Sequence, residues 1–136
     1  MANSLYAKGA EKIFSASVNF PSDTLKVSLM KNTYPQNLAT DEFYSGISAY
    51  VLNTPQTLGS KSITGGVFDA ADVTFTAVTA GDTSEGVVIW KDTGNPATSP
   101  VLAYIDTITG FPLATNGGDI TVKWDDGAYK IFALFG

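Results

Sequence analysis

Gly86-Val87-Val88-Ile89-Trp90 and Val101-Leu102-Ala103-Tyr104-Ile105 are apolar on both faces of an extended chain. A strand in an antiparallel sheet ordinarily alternates, with one face packed and the other polar. Two strands without that alternation need cover on both sides. The cover can come from the N-terminal segment, which makes these central strands, or from another subunit, which makes their second face an interface. The candidate interface residues are therefore Val88, Trp90, Leu102 and Tyr104, joined by Leu5, Tyr6 and Ile13 of the N-terminal segment.

Outward from these strands the pattern stays β. Leu25, Val27 and Leu29 alternate with Lys26, Ser28 and Met30. Val73, Phe75 and Ala77 face one way and Thr74 and Thr76 the other, as expected of a half-buried strand. Ile47 to Asn53 and Thr57 to Ile63 read as short strands, and Thr40 to Tyr44 as a capped single helical turn. Gly65-Gly66 signals a turn. Ile120, Val122 and Trp124 alternate with Thr121 and Lys123; Asp125-Asp126-Gly127 and a second apolar run, Tyr129 to Phe135, complete the pattern of a tight hairpin. Residues 1–16 are the exception. Asn3 can cap a helix whose one face holds Leu5, Tyr6, Gly9, Ile13 and Ala16 and whose other holds Lys8, Glu11, Lys12 and Ser15. An extended arm folded on a partner is the rival reading. About seven to nine short strands with regular turn signals predict an antiparallel β-sandwich or a jelly-roll-like barrel, with a short N-terminal helix or arm. The 136 residues fit one domain: segment 1–16, then a β-sandwich over 22–136.

What is missing narrows function. The chain has no Cys and no His, and its eight basic residues are all Lys. It lacks the side chain best suited to proton transfer near neutrality, a thiolate nucleophile, and the guanidinium fork that grips phosphate. Charged residues are 15% of the chain and the net charge is −5, a balance that repels nucleic acid and anionic lipid. Met1 to Lys8 holds no continuous apolar run, and no stretch approaches a membrane span. The expectations are no enzyme, no cofactor, no nucleic-acid or membrane partner, and synthesis in a cytoplasm without an export signal.

Each candidate site has a plainer explanation. The carboxylate pairs Asp41-Glu42, Asp69/Asp72 and Asp125-Asp126 sit where turns and caps favour Asp. Asp125-Asp126-Gly127 and Asn116-Gly117-Gly118-Asp119 are oxygen-rich, but neither has the spacing of a calcium loop. Gly65-Gly66 and Gly117-Gly118 lack the phosphate-loop pattern. Trp90, Trp124 and Tyr104 could form a sugar-binding platform if exposed and coplanar, and are core residues otherwise.

Met1-Ala2-Asn3-Ser4-Leu5-Tyr6-Ala7-Lys8-Gly9, residues 67–78, Trp90-Lys91-Asp92-Thr93-Gly94, and residues 116–132 resemble, in the same order, a family of small tailed-bacteriophage virion proteins. Ala10 departs from that pattern, in which relatives carry a basic residue. The resemblance implies a capsid decoration, or cement, protein on the exterior of the virion. Its partners would be the major capsid protein and itself, as a homo-dimer or trimer, with no catalytic residues. A head–tail connector or tail component is the structural alternative, and a carbohydrate-binding sandwich the alternative of another class.

Overall fold

The computed structural model describes residues 3–106, 108, 110–124 and 131–133. In chain order they form β1 (Asn3–Leu5), α1 (Ala7–Phe14), β2 (Leu25–Lys31), β3 (Val51–Thr57), β4 (Ser62–Thr64), β5 (Val67–Asp69), β6 (Val73–Phe75), β7 (Thr83–Lys91), β8 (Val101–Ile105), β9 (Leu113–Ala114), β10 (Ile120–Val122) and β11 (Phe132–Ala133). The fold is mainly β and antiparallel, with a short N-terminal helix.

The two doubly apolar segments are neighbours at the centre of the main sheet. Its strand order is β1-β8-β7-β2-β3, and β9 pairs with the start of β7. Val87, Val88 and Ile89 lie opposite Ile105, Tyr104 and Ala103. Trp90 then pairs with Val101, so the register shifts by one residue. That bulge sends Leu102 to one face while Val101 and Tyr104 serve the other. The simple alternation that placed Leu102 beside Tyr104 fails there, because an extra residue reverses the side chain's direction.

One face of the sheet carries Leu25, Val27, Leu29, Val87, Ile89, Ala103 and Ile105. Two small sheets close over it, β10-β6 and β11-β5-β4, contributing Phe68, Val73, Phe75, Ile120 and Val122. Phe20 meets Phe68 edge to face at 4.9 Å. This is the sandwich core.

Several local readings change in three dimensions. The C-terminal apolar runs do not pair with each other among the described residues: β10 pairs with β6, and β11 with β5. The Asp125–Gly127 turn itself lies outside the described residues. Val73 and Phe75 are buried, but Ala77 leaves the strand with φ 50° and is exposed. Its amide donates to Asp119 Oδ1 instead. Residues 44–50 form two 3₁₀ turns rather than a capped turn and a strand, and strand structure begins at Val51. Leu58 leaves β3 to fill the core, which splits the segment read as a strand over Thr57–Ile63. Gly65 and Gly66, at φ 59° and 79°, make the tight β4–β5 turn, since only glycine takes two successive positive values without strain.

The N-terminal segment is a short strand followed by a helix, both docked on their own chain. Asn3 does not cap the helix; it lies in β1, where Asn3, Ser4 and Leu5 pair with Ile105, Tyr104 and Ala103. The chain then turns at Tyr6 into α1. Gly9 is the helix's contact point: a Cβ there would stand 2.6 Å from the Val101 carbonyl oxygen. Ile13 packs against the core, while Ala16 is exposed.

Candidate functional site

The second face of the doubly apolar strands, for which the N-terminal segment or another subunit was the expected cover, is covered by the chain itself. Met30, Val88, Trp90, Val101 and Tyr104 project from β2, β7 and β8. Over them lie Tyr6, Tyr44 and Ile47, with Tyr34, Leu38, Tyr50 and Val51 packed at the margin. The overlay is residues 34–50, tied down by backbone bonds at both sides: Ala7 N donates to Leu38 O (2.7 Å), Val101 N to Glu42 O (2.9 Å) and Tyr44 N to Ser99 O (2.8 Å).

Polar groups on this face are matched. Tyr44 stacks on Trp90 with centroids 3.9 Å apart and planes 13° from parallel. Trp90 Nε1 donates to the buried Ser28 hydroxyl at 2.9 Å, placing an acceptor where an indole N–H would otherwise be stranded. A second chain runs from Tyr6 through Tyr34 to Asp41: the two phenol oxygens are 2.7 Å apart, and Tyr34 donates to Asp41 Oδ2 at 2.6 Å. Beside it Lys12 of α1 bridges to Glu42 at 3.1 Å and sits over the Phe43 ring. Adjacent carboxylates, Asp41 and Glu42, thus hold the arm from two directions.

Burial keeps these phenols neutral. It raises the Tyr6, Tyr34 and Tyr44 hydroxyls above the usual range, and the bond to Asp41 raises Tyr34 further. Tyr104 is pushed up to about 12, by burial first and then by Asp106 and Glu85. Two carboxylates paired with lysines of the sheet shift downward. Asp23 accepts from Asn19 N and pairs with Lys91; Asp92 accepts from Gly94 N and pairs with Lys26.

Of the residues expected at an interface, Tyr6, Val88, Trp90, Leu102 and Tyr104 are buried within the chain, and Leu5 and Ile13 are partly buried against its core. They come together, but as the seat of the N-terminal arm and the overlay, with Leu102 on the opposite face. The sugar-platform reading fails on exposure: Trp90 and Trp124 are each 5% exposed and Tyr104 9%. Trp124 Nε1 is spent on the Ala71 carbonyl. In the oxygen-rich loop 116–119, Asn116 accepts from Gly118 N and Asp119 from Ala77 N, and Asp72 of the carboxylate pair Asp69/Asp72 accepts from Trp124 N; the Asp125–Gly127 loop lies outside the described residues. Lysines are similarly engaged. Lys8, Lys12, Lys26 and Lys91 form ion pairs, and Lys61 donates to the Asp23 carbonyl.

The overlay was not visible in the sequence. Its aromatic residues Tyr34, Tyr44 and Tyr50 follow no strand or helix period, and only their density hinted at a packed segment. Compared with known protein-family models and with characterised proteins, the chain matches none.

Proposed function

We propose that this chain is a structural protein of a bacteriophage virion, acting as a capsid decoration protein on the outer surface of the major capsid lattice. The reading is supported by the kind of surface the fold leaves. Both faces of the main sheet are consumed internally, and five lysines are tied to carboxylates or carbonyls. What remains for a partner is hydroxyl-rich and acidic, with a net charge of −5. Such a surface is repelled by packaged DNA but suits many weak contacts repeated on a symmetric lattice, where avidity supplies the affinity. The observation carrying most weight is the order-preserving resemblance of four segments along the chain to small virion proteins.

The sandwich no longer offers an open apolar face as the reason for a homo-dimer or trimer; self-association has to use another part of the molecule. Quantitative mass spectrometry of purified virions tests the proposal. Copy numbers comparable to the major capsid protein support it. About a dozen copies or fewer would assign the protein to the neck or tail, and absence from the virion would overturn the reading.

A further inference from the structure

We propose that Asn116 is a site of spontaneous covalent modification, through ring closure of its side chain onto the Gly117 nitrogen, and that the fold holds this site shut by clasping Gly117 to Val78.

The reactive pair is explicit in the sequence. Asn116-Gly117 is the only Asn-Gly step in the chain; every other asparagine precedes a residue with a side chain. Gly117 carries no Cβ to shield its backbone nitrogen from the neighbouring carboxamide. Asn116 is exposed, so water and hydroxide reach it.

The fold engages each atom the ring closure needs. Gly117 N donates to Val78 O at 2.8 Å, and Val78 N donates to Gly118 O at 3.0 Å. Val78 is 1% exposed and belongs to the sandwich core, so the clasp has a fixed anchor. The attack requires the Gly117 nitrogen to lose its proton. A hydrogen bond made by the neutral N–H disfavours that loss. Asn116 Oδ1 meanwhile accepts from Gly118 N at 2.9 Å, which holds the carboxamide in a turn of its own. Two further bonds brace the loop: Asp119 Oδ1 accepts from Ala77 N at 2.9 Å, and Thr115 N donates to Asp82 O at 2.8 Å. Reaction therefore waits for the loop to lift from residues 77–82.

Once it lifts, the chemistry is self-contained. The Gly117 nitrogen gives its proton to hydroxide and bonds to Asn116 Cγ. The Cγ–Nδ2 bond breaks, and the amine takes a proton from water and leaves as ammonia. Water then opens the cyclic imide at either carbonyl, giving aspartate or isoaspartate. Both add a negative charge beside Asp119, and isoaspartate lengthens the backbone by one methylene where β10 is about to pair with β6. The step runs one way, so each opening of the loop carries a risk of permanent change.

The full chain is incubated in mildly alkaline buffer, folded or in urea, and digested with trypsin. Fragment 92–123 is then followed by mass spectrometry with electron-transfer fragmentation. Asn95 in the same fragment is an internal reference, since Pro96 has no N–H. Asn116 should convert about tenfold or more faster in urea than in the fold, because only local opening exposes it there. Equal rates would overturn the proposal, as would aspartate without isoaspartate, which would mean direct hydrolysis without a ring. Asp119→Ala removes one brace; it should speed conversion in the folded protein several-fold and leave the rate in urea unchanged. An unchanged folded rate would count against the clasp. Hydrogen exchange on the unaltered protein needs no variant: the Gly117 amide should be protected, and a freely exchanging Gly117 amide would overturn the gating.

Discussion

At the scale of single residues, the overlaid face is held by matched polar pairs inside an apolar setting. Ser28 has no exposed surface, and its hydroxyl accepts from Trp90 Nε1 beneath the stacked Tyr44 ring. Ser28→Ala removes the acceptor and leaves a buried donor, which should cost about 1–3 kcal/mol. Trp90→Phe removes the donor but keeps an aromatic ring against Tyr44. The double variant should therefore be less destabilised than the two single losses summed, because no orphaned donor survives. Urea unfolding followed by circular dichroism gives the four stabilities, and strict additivity would show that the bond contributes nothing. This pair was half legible in the sequence. Trp90 announced itself in an apolar strand, whereas Ser28 looked like an ordinary polar position. Only the register that sets β2 beside β7 shows it facing a buried indole.

At the scale of elements, the sequence was most informative where one period ruled a whole segment. β2, β7, β8 and β10 follow from alternation or from unbroken apolar runs, and the Gly65-Gly66 turn from glycine chemistry. It was least informative where partners are distant. Local turn chemistry speaks only to neighbours along the chain, whereas β10 pairs with β6, from which many residues separate it. Nothing in a single chain's pattern encodes such a pairing. The helix shows a similar conflict. Gly9 weakens α1 by roughly 1 kcal/mol relative to alanine on propensity alone. The contact with Val101 explains why glycine is there nonetheless. Gly9→Ala should therefore destabilise rather than stabilise, by about 1–3 kcal/mol from the clash with backbone. Hydrogen exchange should show the loss of protection concentrated in residues 3–14. Unchanged or improved protection there would mean that α1 can shift without cost.

At the scale of the whole molecule, ionisation acts on the fold at opposite limits of pH. Tyr6, Tyr34, Tyr44 and Tyr104 have phenols raised by burial. Their contribution to stability is complete below the unfolded phenol value of about 10 and is lost as pH rises through the folded values. Tyrosinate absorbance from these four should thus appear together with unfolding. All six ionising near pH ~10 with circular dichroism unchanged would contradict the burial. Asp23 and Asp92 act at the other limit. Their lowered values stabilise the fold above the unfolded carboxylate value of about 3.9, and that contribution disappears as pH falls through the folded values. Asp106, raised by burial, works against them in the same range.

The central sheet separates two apolar clusters, and each cluster holds one of the chain's two indoles: Trp124 under the small sheets and Trp90 under the overlay. The protein therefore carries an optical reporter on each side of the same wall. Emission from a variant retaining only Trp90 follows the arm and its cover, while one retaining only Trp124 follows the sandwich. A red shift in the first without a change in the second would time the lifting of the overlay apart from the melting of the sheet.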